Sequence, residues 1–73
     1  MASPQRQSRI YALKEHAKGH IAKYKAELDI LLDNPIGYQG DILGVMMDNL
    51  EQIARYEEHL TVLDKHFDQG SKP

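Results

Sequence analysis

Residues 33–42 read "DNPIGYQGDI", and the fold turns on what the chain does there. Asn34 precedes Pro35, and the residue before a proline is pushed out of the helical region, so a helix arriving from the N-terminal side ends near Asp33. Gly37 and Gly40 offer the positive backbone dihedrals that a reversal needs. Asp41 is placed to cap a new helix. The loop 34–41 is then short enough to make the flanking segments antiparallel neighbours. Ile36 and Tyr38, apolar residues within it, are expected to tuck over the end of the pair.

Upstream, Ile10, Leu13, Ala17, Ile21, Tyr24, Leu28, Leu31 and Leu32 recur at spacings of three and four, which lays them along one face of a helix spanning about residues 4–33. Ser3 and Pro4 supply an N-cap and a first-turn proline, with fraying expected up to Ser8. Downstream, Ile42, Met46, Ile53, Tyr56, Leu60, Leu63 and Phe67 follow in heptad-like steps, a second helix over about 42–68 with a loose tail at 69–73. Asn49 falls at an inner heptad position, where a polar residue sets register. Met46 and Met47 read as core filling. The expected fold is all-α, an antiparallel two-helix hairpin in a single domain covering residues 1–73.

Charge supports this pairing. Between Arg6 and Lys25 stand six basic residues and one acid, Glu15, whereas Asp41 to Asp68 holds seven acids against Arg55 and Lys65. A turn centred between Gly37 and Tyr38 makes facing residues sum to about 75, which sets Arg6 near Asp68, Lys18 beside Glu57 and Glu58, and Lys23 near Glu51. Glu57 and Asp64, on the edge of the apolar stripe, are expected to meet cations such as Lys14, Lys18 or Arg9. Exposed pairs contribute only about 0.2–1 kcal/mol each, so they choose orientation more than they hold the fold.

A lone hairpin is not enough. The chain has 73 residues and no cysteine, so it has a small core and no disulfide to help it. Outside the strict seam lie Leu43, Val45, Met47, Leu50, Ala54 and Val62 on the second helix, with Ile21, Leu28 and Leu32 beside the seam on the first. Leaving half a dozen such side chains wet forfeits on the order of 10 kcal/mol, as much as a small domain's whole stability. Two hairpins joined as a homodimeric four-helix bundle recover it. A three-helix monomer broken at Gly19 is the weaker alternative. The residues expected to pack the core and dimer are Ile10, Leu13, Ala17, Ile21, Tyr24, Leu28, Leu31, Met46, Leu50, Ile53, Tyr56, Leu60, Leu63 and Phe67.

The polar residues point to no enzyme and no cofactor. The only hydroxyls besides the tyrosines are Ser3, Ser8, Thr61 and Ser71, three of them near the ends, and Thr61 has no acid–base company. His16 and His20 are four apart, and His59 falls at their level, so a three-histidine metal cluster is conceivable. However, helical zinc pairs carry further ligands and a glutamate between the histidines, whereas Glu15 precedes His16. Boundary histidines, one side packed and one wet, are the plainer reading. Together with His66 they motivate a pH response, because histidine charges between pH 8 and 5. Lys14, Lys18 and Lys25 share one flank of the first helix and are the candidate nucleic-acid contacts. Against that reading stand a net charge of −2, the acidic second helix and the lack of interleaved aromatics for stacking. No signal-like segment or membrane-length apolar run is read, which leads to the expectation of an intracellular, cytoplasmic, non-secreted protein.

In size and topology this pattern resembles the dimeric helical hairpins of the ROP type, which bind RNA through a bundle face. The stretch "NPIGYQGDI" followed by "LEQIARYEEHLTVLDKHF" resembles short helical proteins of tailed bacteriophages. That second likeness covers the turn and the second helix, carries no catalytic motif, and implies an accessory or virion-associated role. The expected partners are a second copy and another protein, with nucleic acid as the alternative and no membrane.

Overall fold

The computed structural model describes residues 4–33 and 40–67. Helix α1 spans Pro4–Asp33, and α2 spans Ile42–Val62. A π-helical turn, Leu63–Phe67, continues α2. Among the described residues there is no strand, and no helix is long and apolar enough to cross a membrane. The two helices pack against each other as an antiparallel hairpin.

The helix boundaries follow local chemistry. Asp41 caps α2 by accepting the Gly44 N–H at 2.9 Å, which satisfies one of the donors that a helix start leaves unpaired. Gly40, with φ of 102°, takes the left-handed conformation that brings the chain into that cap. Gly37, Ile36, Tyr38, the Ser3 cap and Asp68 lie outside the described residues. Gly19 does not break α1, which runs through it without interruption.

Opposed positions follow closely from the turn. Lys14 Nζ meets Asp64 Oδ1 at 2.7 Å, the His20 ring stacks on Tyr56, and the Arg6 Nη2 donates to the Phe67 carbonyl at 3.1 Å. These pairs total 78, 76 and 73, scattered about the expected 75. Lys18 departs from expectation. It pairs within its own helix with Glu15 at 3.3 Å rather than across to Glu57 or Glu58, because a neighbour three residues away on the same helix is already within reach.

The core is thin. Ile10, Ala17 and Leu28 are buried, and Ile21, Tyr24, Leu31, Met46, Ile53, Tyr56, Leu60 and Leu63 are half-buried along the seam. Leu13, Leu50 and Phe67, expected in the packing, are exposed in the single hairpin. Met47 is exposed as well, so it does not fill this core. Two helices share only one line of contact, and positions a quarter-turn away from it have nothing to pack against.

Candidate functional site: a continuous face of the hairpin

Besides a hollow of about 300 Å³ on α1 between Glu15, His16, Gly19, His20 and Lys23, three shallow hollows run along the hairpin between its two helices. The first, about 380 Å³, lies at the open end between Arg6, Arg9, Ile10, Leu13, Leu63 and Phe67. The second, about 270 Å³, is lined by Leu13, His16, Ala17, His59, Val62 and Leu63, so it shares Leu13 and Leu63 with the first. The third, about 350 Å³, lies towards the loop between Glu27, Ile30, Leu31, Val45 and Asn49. Every residue of the third has a counterpart in the second exactly two heptads away: Glu27 and Leu13, Ile30 and His16, Leu31 and Ala17, Val45 and His59, Asn49 and Leu63. A seven-residue step returns to the same face of a helix packed in coiled-coil fashion. All three hollows therefore open on one face.

Between the second and third hollows sits a cluster of rings. His20 stacks on Tyr56 at 4.5 Å between centroids, and His16 meets His20 edge-on at 4.4 Å. Tyr56 also takes the edge of His59 at 5.3 Å, and Tyr24 lies alongside at 6.5 Å. Offset and edge-to-face pairs at such spacings add about 0.5–1.5 kcal/mol each beyond burial. Tyr56 thus stands between His20 and His59. The conceivable three-histidine metal cluster does not form: no group of three or more His, Cys, Asp or Glu among the described residues could hold a metal ion.

Two polar atoms on this face are buried without a partner, Nδ1 of His20 and Nδ2 of Asn49. Asn49 is only 6% exposed. The hydrophobic pattern foretold its inner position; that its buried amide would find no acceptor there has no signature in sequence. Arg9 and Glu27 have no ion-pair partner among the described residues.

The lysine flank lies elsewhere. Lys14 is held by Asp64 and Lys18 by Glu15, which leaves Lys25 as the member of the trio with no ion pair among the described residues. Large apolar side chains are also exposed beyond the grooved face, notably Leu32, Leu43, Met47 and Leu50 near the loop and Tyr11 on α1. Comparison with protein-family models, curated proteins and solved structures finds no match.

Proposed function

We infer that this chain is a non-enzymatic interaction module that works as a homodimer, two hairpins associating into a four-helix bundle. The observation that carries this reading is the imbalance of apolar surface. Tyr11, Leu13, Ile30, Leu32, Leu43, Met47 and Leu50 are each more than half exposed, while Ile10, Ala17 and Leu28 are the buried hydrophobic residues described. Exposure on this scale marks an interaction surface or an aggregation hazard in a soluble chain. A second copy covers the part of it that lies on one side of the hairpin, where Leu13 and Ile30 stand, and closed twofold association stops growth at the dimer.

Sedimentation equilibrium tests the reading. The expected mass is about twice the 8.4 kDa of one chain at micromolar concentration. A folded, thermally robust monomer there overturns it. Duplex and single-stranded probes at two salt concentrations address the alternative. Binding that weakens steeply with salt would move the reading to nucleic acid, because phosphate contacts release counterions.

A further inference from the structure

We propose that the grooved face is where a second copy of this chain docks, and that the two hairpins lie antiparallel, their loops at opposite ends. The proposal rests on the homodimer reading above and adds the face and the orientation.

The face has the shape and character an interface needs. The hairpin measures 53 Å in length and 17 by 16 Å across, so the grooved side runs along a long, narrow rod on which a second rod can lie in contact over most of its length. Apolar Leu13, Ile30, Val62 and Phe67 are exposed on it. The two unpartnered polar atoms, on His20 and on the nine-tenths-buried Asn49, lie on this same side, and buried polar groups ordinarily have partners.

Charge decides the orientation. A twofold axis lying in the interface permits two arrangements. With loops together, each α1 lies over the partner's α2 at the same level, so facing positions total about 75. Glu27 then faces the partner's Asp48, acid against acid. With loops apart, α1 lies over α1 and α2 over α2 in reversed order. An axis at the level of residue 18, midway between His16 and His20, sets Arg9 against the partner's Glu27. His16 then meets the partner's His20, which adds the second copy's rings to the cluster. Asp48 belongs to the face because it lies two heptads from Val62, which lines the second hollow. Arg9, Glu27 and Asp48 are all exposed and able to meet a partner. Juxtaposed like charges disfavour the first arrangement and opposite charges favour the second.

The test is a charge swap in the full chain, read by sedimentation at pH 7.5 and low salt. Arg9→Glu and Glu27→Arg should each weaken dimerisation about tenfold, since each places like charges together at two symmetry-related points. The double variant should restore it to within about threefold of the parent, because both pairs are rebuilt with signs exchanged. Single variants without effect, or a double variant that is not rescued, overturn the proposed face and orientation while a parental dimer leaves the homodimer reading standing. A monomeric parent overturns both. A nitroxide at Gln5→Cys gives an independent measure that leaves these charges intact. Label separations near 40 Å, from 1.5 Å per residue on either side of the axis, support the antiparallel arrangement. Separations under about 20 Å, as for helices packed side by side at 8–10 Å, overturn it.

Discussion

Asn49 shows how a single polar residue can be legible in position and not in consequence. Its place in the heptads of α2 marks it as an inner residue, and it is buried. Its Nδ2 nonetheless has no acceptor in the hairpin, and leaving a buried donor unpaired costs about 1–3 kcal/mol. Replacing it with an apolar residue of similar size removes that cost and adds seam packing. Asn49→Leu is therefore expected to raise hairpin stability by about 1–3 kcal/mol in urea unfolding at fixed, dilute protein concentration. The same change should loosen pairing specificity, as buried asparagines in coiled coils fix register at the expense of stability. A loss of stability in Asn49→Leu would mean that the amide is satisfied after all.

At the scale of the helices, the boundaries were written in the sequence and the distribution of burial was not. Pro35 after Asn34 and the capping Asp41 are local signals, and α1 ends at Asp33 and α2 begins at Ile42 as they require. The π-helical turn at Leu63–Phe67 has no such marker, since its residues suit an α-helix equally well. Periodicity grouped Leu13, Leu50 and Phe67 with the packing of core and dimer together, because a count of spacings gives every apolar residue near the stripe the same weight. Packing distinguishes a seam residue from one a quarter-turn away. The two helical glycines show the same contrast between local and tertiary demands. A Cβ at Gly19 meets nothing within 4 Å, whereas one at Gly44 would overlap the Asp41 carboxylate that caps α2. Gly19→Ala should therefore stabilise the chain by about 0.5–1 kcal/mol through helix propensity. Gly44→Ala should lower stability by up to about 1 kcal/mol, because displacing the cap offsets the same gain in propensity. Thermal melts of the two variants, read side by side, check the contrast; equal stabilisation in both would show that the Asp41 cap contributes nothing.

At the scale of the whole molecule, the hairpin is a rod. Its radius of gyration is 16.4 Å, against about 11 Å for a compact domain of this length. A rod of two helices has little interior, so association of the kind proposed is where this chain would gain most of its stability. Its unfolding should then depend on its own concentration, because only the folded, paired state gains by mass action. Raising the chain concentration about a hundredfold should raise the midpoint of a thermal melt by several degrees. A midpoint that stays put across that range would show that the hairpin carries its stability alone.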